Sequence, residues 1–344
     1  MDGPQAERPA GADDRVLVTG ASGFVGSHVT RMLVQRGRKV RVLLRPTSNR
    51  AALEGLDVEI VTGDALDPAS LRGAMQGCLT VFHSVVDARV WLDDPTPMRR
   101  NNIDGLRNAM DAALACGVER FVFTSTMGTL GLNPDGPVTE DIPFNWRDKA
   151  PPYILARREA EDLFMAYCRD EGLPGVALCV ANTYGPQDYQ PTPHNGMLWQ
   201  VASGQRTTML DAAQPTVDIR DVAEAALLAE EKGRVGERYI IANEFVTSQE
   251  FYGLATARCD NPAPKLVSYR FAYAMAWLMY RVARLRGVKD TMMRPEAVYL
   301  ANVFREMDHG KASRELGWNP RPIAKTVNDA VDWFAARERQ RGAD

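Results

Sequence analysis

Residues 15–26, RVLVTGASGFVG, place Gly20, Gly23 and Gly26 between an apolar, β-branched run and the amphipathic stretch SHVTRMLVQRG. Phosphate oxygens can approach a main chain closely only where Cβ atoms are missing, and the first turn of a helix offers unpaired N–H groups at its positive end. The arrangement reads as a pyrophosphate cradle. Its glycines fall at positions one, four and seven, whereas the usual dinucleotide fingerprint has them at one, three and six. A ligand-free glycine-rich turn is the competing reading. Context weighs against it: Val16 to Thr19 form a strand-like run, and Val25, Val29, Met32 and Leu33 recur at helical spacing.

The chain has 344 residues, 45% hydrophobic and 25% charged, enough for one large domain or two coupled ones. A net charge of −3 leaves no electrostatic footprint for nucleic acid. The five cysteines, Cys78, Cys116, Cys168, Cys179 and Cys259, form no CxxC pair, so neither a disulfide framework nor a metal site is expected. A reducing, cytoplasmic setting fits that usage. The first 14 residues lack an apolar run and read as a disordered lead rather than a signal peptide.

Beyond the cradle, strand-like and helix-like segments alternate: KVRVLL, LDVEIV, a helix over 68–75, LTVFH, a long helix around 98–116, RFVFTS, a helix over about 153–171, and GVALCV. Repeated βα winding forces a parallel sheet covered on both faces. Asp67-Pro68 opens one helix with an N-cap acceptor and a proline at the first helical position. After residue 181 the texture loosens, beginning with YGPQDYQPTPHNG, although TVDIRDVAEAALLA still reads as strand then helix. The expected fold is α/β: a doubly wound parallel-sheet Rossmann domain over 15–180, with 215–243 returning to it. A smaller, mainly helical C-terminal substrate domain is expected from 181–214 and 244–340.

Where an NAD-selecting chain carries Asp or Glu at the end of its second strand, this one has Arg45, with Arg50 nearby. A guanidinium there suits the 2′-phosphate of NADP(H); NAD stays possible, and a solvated surface cation is the bland alternative. Asp64, after the third strand, is placed to accept from an adenine amino group, or simply forms a turn. Ligands bind outside the carboxyl ends of the strands in such sheets. There the chain offers the hydroxyls of Thr124, Ser125 and Thr126. It also offers Tyr153 and Arg157, four apart and so on one helix face.

Taken in order, VTGASGFVG, Gly63-Asp64, VFH, NNIDGLRN (101–108), FTST, YxxxRxxAE (153–161), YGPQD, DIRDVAEA and GKASRELGW resemble an extended short-chain dehydrogenase/reductase over about residues 15–337. The similarity is greatest to the dihydroflavonol-reductase, 3β-hydroxysteroid-dehydrogenase and hopanoid-associated epimerase-like branch. The resemblance implies hydride exchange between nicotinamide and a carbonyl carbon. Tyr153 would be the acid/base, Thr126 the hydroxyl that orients the carbonyl oxygen, and Arg157 would stand where the family has lysine. It further implies cofactor contacts from Gly20, Ser22, Gly23, Phe24, Val25, Gly26, Arg45, Asp64, Ala65, Ser84, Val85, Thr124, Tyr153, Arg157 and Val180. Family members often dimerise through the helices corresponding to 98–116 and 153–171, so a homodimer is expected.

The lysine of the family lowers the tyrosine pKa. Bringing a phenol from about 10 to about 7 takes roughly 4 kcal/mol. A unit charge ~4 Å away at an effective dielectric of about 20 supplies a similar amount. Arg157 can therefore match the charge, but a planar guanidinium does not match the shape of an ammonium. His83-Ser84-Val85-Val86 and Cys179-Val180 also depart from the family pattern, so the same pocket is altered at three places. The leading expectation is an NADP(H)-dependent carbonyl reductase or alcohol dehydrogenase. The alternatives are an epimerase or dehydratase that recycles its nicotinamide, and a non-catalytic NADP(H)-binding protein.

In DAAQPTVDIRD (211–221) no basic residue precedes VDIRD, where sugar-nucleotide enzymes of the family hold a diphosphate, which argues for a fairly apolar small-molecule substrate. FAYAMAWLMY (271–280), followed by Arg281, Arg284, Arg286 and Lys289, reads first as a buried helix of the small domain, since ten apolar residues cannot span a bilayer. The sharper reading is an aromatic and methionine surface lining a lipophilic pocket or touching a membrane; membrane-surface contact is the less favoured of the two. His194, in the Pro-rich loop, is either a substrate contact or merely solvated.

Overall fold

The computed structural model describes residues 15–89, 92–288 and 294–341; the expected disordered lead, residues 1–14, and Lys289 lie outside the described residues. Strand β1 (Arg15–Thr19) and helix α1 (Phe24–Gln35) flank the glycine turn, followed by β2 (Lys39–Leu44), β3 (Glu59–Thr62), α2 (Pro68–Met75) and β4 (Cys78–His83). Asp67 caps α2 as its sequence implies, its carboxylate accepting from the Ala69 N–H at 3.0 Å. The long helix expected around 98–116 is composite: α3 (Thr96–Arg99) passes through a π turn at Arg100–Asp104 into α4 (Gly105–Ala115). Then come β5 (Arg120–Thr126), α5 (Pro152–Asp170) and β6 (Gly175–Val180).

Past β6 the chain forms β7 (Asn182–Tyr184), α6 (Pro193–Ala202), β8 (Thr208–Leu210), β9 (Ala213–Asp218), α7 (Ile219–Lys232) and β10 (Arg238–Ile241). The remainder is β11 (Phe245–Thr247), α8 (Ser248–Ala257), β12 (Lys265–Val267), α9 (Tyr269–Leu285), α10 (Pro295–Val303), α11 (Gly310–Leu316) and α12 (Ile323–Arg341). Seven strands make one parallel sheet in the order β10-β6-β5-β4-β1-β2-β3. Chain direction across the sheet reverses between β1 and β4, which opens a crevice at their carboxyl ends. Register aligns those ends: Thr19 pairs with His83, His83 with Phe123, and Thr126 with Val180.

Side chains alternate between the two sheet faces, as strand geometry requires. Val16, Val18 and Val122 join the cluster with α1 and α7, while Leu17, Phe121 and Phe123 join the cluster with α2, α4 and α5. Both faces are thus apolar, which is why the strands read as near-continuous hydrophobic runs. A third core gathers Leu198, Val201, Phe251, Tyr252, Val327 and Val331 from α6, α8 and α12.

The segment read as strand then helix divides differently from expectation. Its strand, β9, lies in a separate three-stranded sheet between β7 and β11, whereas α7 packs on α1. The strand that re-enters the main sheet is β10, beside β6. Its four residues, RYII, are too short for periodicity to distinguish a strand from a turn of buried helix.

A second correction concerns residues 271–280. They lie in α9, which has only one buried residue, Ala276, so the helix is not the buried one expected. Helical spacing and apolarity predict a helix, but which way its apolar side faces depends on what the rest of the chain puts beside it.

Candidate active site

The glycine turn is closed by backbone contact. Gly20 has φ +76°, and a Cβ on it would stand 2.7 Å from the Ser84 carbonyl carbon; a Cβ on Gly26 would stand 2.3 Å from the Gly20 oxygen. Both positions therefore need glycine, one for its dihedral and both for space. Gly23 is the N-cap of α1 and supplies no side-chain acceptor, so the first-turn N–H groups of Phe24, Val25 and Gly26 face the turn without a side-chain cap. Ser22 lends its carbonyl to Gln190 Nε2 at 3.4 Å, bringing the segment after β7 over the cradle. That segment is braced by Arg337, which donates to the Asp188 and Tyr189 carbonyls at 3.1 and 2.9 Å.

Ser84 and Val85, just beyond β4, come up against Gly20 from the other side. Ser84 Oγ and Thr124 Oγ1 share a hydrogen bond of 2.8 Å. Thr124 in turn accepts at its carbonyl from Arg157 Nη2 at 2.7 Å. Arg157 is 2% exposed, its guanidinium carbon lies 5.3 Å from the Phe123 ring centroid, and its Nε and Nη1 have no hydrogen-bond partner. Orphaned charged donors are expensive in an interior, so they mark where an absent polar group belongs. Together with the closed glycine cradle on α1, they fit a dinucleotide: the first-turn N–H groups of α1 would hold its pyrophosphate, and Arg157 would hold the nicotinamide ribose.

Tyr153 stands in the first turn of α5, one turn before Arg157, half-buried. Burial pushes its phenol above the ordinary value, Arg157 draws it down, and Asp87 pushes it up. Burial therefore outweighs the guanidinium, contrary to the acidified phenol that charge arithmetic alone suggests. His83 is buried, donates or accepts with Thr19 Oγ1 at 2.9 Å, and is driven down to about 3 by burial and by Arg157, so it is neutral. Thr126 Oγ1 accepts from the Gly128 N–H at 3.3 Å, which leaves its own proton to donate.

The other expected cofactor residues stand at or just past the carboxyl ends of β2, β3 and β6. Arg45 is exposed just past β2, in a turn where its N–H donates to Ser48 Oγ at 3.1 Å. Asp64 forms the turn anticipated as its plainer role: Oδ1 accepts from the Leu66 N–H at 2.9 Å. Ala65 accepts at its carbonyl from Asn108 Nδ2 at 3.2 Å. Val180 ends β6, 7% exposed. His194 sits exposed on the first turn of α6, its ring 5.8 Å from that of Tyr184.

Three features escaped sequence reasoning. Asp87 is held in the segment after β4 by the π turn: Asn101 Nδ2 donates to its carboxylate at 3.1 Å, Asn102 Nδ2 to its carbonyl at 3.0 Å, and its N–H donates to Asn102 Oδ1 at 2.8 Å. The NNIDGLRN motif thus positions the segment that carries Asp87, but a π turn leaves no mark in the residue pattern. Glu161, 1% exposed, takes hydrogen bonds from Ser125, from Thr129 at 2.7 Å and from Arg238 at 2.9 Å, locking α5 to β5, to the turn after it and to β10. Its signal was present: Ile154, Arg157, Glu161 and Phe164 share one buried helix face, and a glutamate there must be paired. Gln190 had no signal in its Pro-rich surroundings.

Comparison with known proteins places this geometry. A family model described as NAD dependent epimerase/dehydratase family matches residues 16–242. Sterol demethylase protein B of Methylococcus capsulatus is 31% identical over 93% of this chain and 98% of its own length. Cinnamoyl-CoA reductase 1 of Oryza sativa subsp. japonica is 32% identical over 76% and 84%. The crystal structure of gox2253 superposes with a TM-score of 0.84 and 34% identity, covering 95% of this chain and 99% of that one. The ordered glycine cradle, the seven-stranded parallel sheet and the Tyr153–Arg157 helix face agree with that match, and the chain belongs to the NAD dependent epimerase/dehydratase family of extended short-chain dehydrogenases/reductases.

Proposed function

We propose that this protein is an NADP(H)-dependent oxidoreductase that moves a hydride between nicotinamide and the carbonyl or alcohol carbon of a fairly apolar small molecule. The observation that carries the reading is Arg157, buried one turn after Tyr153 with two guanidinium nitrogens unpartnered. The nicotinamide, when bound, supplies or accepts the hydride. Arg157 holds the ribose beside it and favours the phenolate that remains once Tyr153 has given up its proton. Tyr153, kept protonated by burial, donates from its phenol oxygen to the substrate oxygen in the reducing direction. The free hydroxyl proton of Thr126 orients that same oxygen. Arg45, at the end of β2, is the group for a 2′-phosphate.

An apolar substrate is supported by two features. Arg220, the basic residue that follows DAAQPT in the sequence, is committed to Asp218 and Asp329, both at 2.7 Å. The name of one relative, a sterol demethylase protein, points to an apolar molecule, and that of another, a cinnamoyl-CoA reductase, to an apolar acyl group on a charged carrier.

Apolar ketones and aldehydes offered with NADPH or NADH test the reading by absorbance at 340 nm. Consumption of NADPH in preference to NADH is expected. Tyr153→Phe should lower kcat by about 10²–10⁴-fold while retaining cofactor binding. An epimerase or dehydratase cycle gives product without net absorbance change. Cofactor binding with no turnover of any carbonyl would leave a non-catalytic protein.

A further inference from the structure

Among the described residues, α9 has a single buried side chain, Ala276, in 17 residues. Its more buried side is Ala272, Ala276, Tyr280 and Ala283, and the helix packs on α10. The opposite side carries Phe271, Ala274, Leu278, Val282 and Leu285, spaced three, four, four and three apart, so that they form one outward stripe. Phe271 is 59% exposed, Leu278 50% and Leu285 86%. Scattered exposed apolar residues need no explanation, but a continuous stripe does.

Charge indicates what covers it. From Tyr269 to Val288 the chain carries Arg270, Arg281, Arg284 and Arg286 and no carboxylate, although the whole protein has a net charge of −3. By helical spacing Arg270 and Arg281 border the stripe on one side and Arg286 on the other. The Arg281 guanidinium lies 5.3 Å from the Trp277 ring centroid, so a cation and an indole sit together at the rim. An apolar stripe edged by arginine and tryptophan suits the boundary between acyl chains and phosphates, where arginine stems lie in the apolar layer and their heads reach the headgroups. The helix is too short to span, and among the described residues no helix is long and apolar enough to cross a membrane. A two-fold pairing with a second copy would set one all-basic rim against another. Arg284 and Arg294 both pair with Asp93, which fixes the helix to the segment that leads away from β4 and the candidate active site.

We propose that α9 docks this protein on the surface of an anionic lipid bilayer, with Phe271, Leu278, Val282 and Leu285 in the acyl boundary and the flanking arginines on lipid phosphates. The docking does not depend on the catalytic reading. Its test is flotation of the full chain with phosphatidylcholine vesicles, with and without phosphatidylglycerol. Co-flotation with the anionic vesicles is expected, weakening as salt is raised. Leu278→Glu combined with Leu285→Glu should lower the apparent affinity at least about tenfold, as should Arg270→Gln combined with Arg281→Gln. Circular dichroism and thermal unfolding of each variant establish that the fold is retained; all four positions are exposed. Failure of the unaltered protein to float with anionic vesicles overturns the proposal, as does flotation indifferent to the leucine substitutions. A concentration-dependent dimer dissolved by those substitutions, without lipid binding, assigns the face to a second copy and overturns it equally.

Discussion

Arg157 donates to the carbonyl oxygen of Thr124 at 2.7 Å with one nitrogen and leaves the other two unpartnered, although the side chain is almost wholly buried. A charge so placed does little for the stability of the fold, because the loss of hydration is met by one hydrogen bond and the face of Phe123. Arg157→Met should therefore leave the unfolding free energy within about 1 kcal/mol of the parent. NADPH affinity should fall at least about tenfold, since charge-assisted hydrogen bonds to the ligand are lost. Calorimetric unfolding and binding titrations on the same samples check this; a collapsed midpoint with unchanged affinity would contradict it.

The two tight glycines make a separable prediction. Gly26→Ala forces a Cβ to within 2.3 Å of a backbone oxygen, so the turn itself must move; a cost of about 1–3 kcal/mol and a clear loss of dinucleotide affinity are expected. Gly37→Ala is the control, because Gly37 has φ +73° but open space around it. It should cost roughly 1–2 kcal/mol through backbone strain alone and leave binding intact.

Arg45 is exposed, so the role proposed for it in coenzyme choice would be that of a screened surface charge. Arg45→Ala should reduce the preference for NADPH over NADH about tenfold at low ionic strength, and by less as salt is added. Equal loss of affinity for both coenzymes would place the side chain elsewhere than beside the 2′-phosphate.

Two buried histidines set an acid limit. His83 is lowered to about 3 and His28 to about 4, both chiefly by burial, from an ordinary 6.5. Between those values and 6.5 the unfolded chain binds protons that the folded chain refuses, so stability is full above 6.5 and falls as pH drops. Each histidine contributes up to about 1.4 kcal/mol per pH unit across its window. Asp221, raised to about 6 by burial, works in the opposite sense, since its folded form takes up a proton earlier than the unfolded one. His83→Asn should remove one proton from the slope of unfolding free energy against pH from about 6.5 to 3, measured by denaturant titration. An unaltered slope would show that His83 is not the neutral group described.

Local chemistry made much of this protein readable. β-branched runs, helical spacing and Asp67-Pro68 announced the βα winding, and the glycines announced the cradle, because each is a short-range steric or hydrogen-bonding requirement written in adjacent residues. Four-residue spacing likewise put Tyr153 and Arg157 on one helix face. Tertiary structure alone decided that RYII, not TVD, re-enters the main sheet, and that Asp87 is held in its loop by Asn101 and Asn102. It also decided that the Tyr153 phenol is raised rather than lowered, and that the apolar side of α9 points outward. Those outcomes depend on burial and on neighbours distant in sequence: a periodic pattern states which side of an element is apolar, but only the packed chain determines what lies against it.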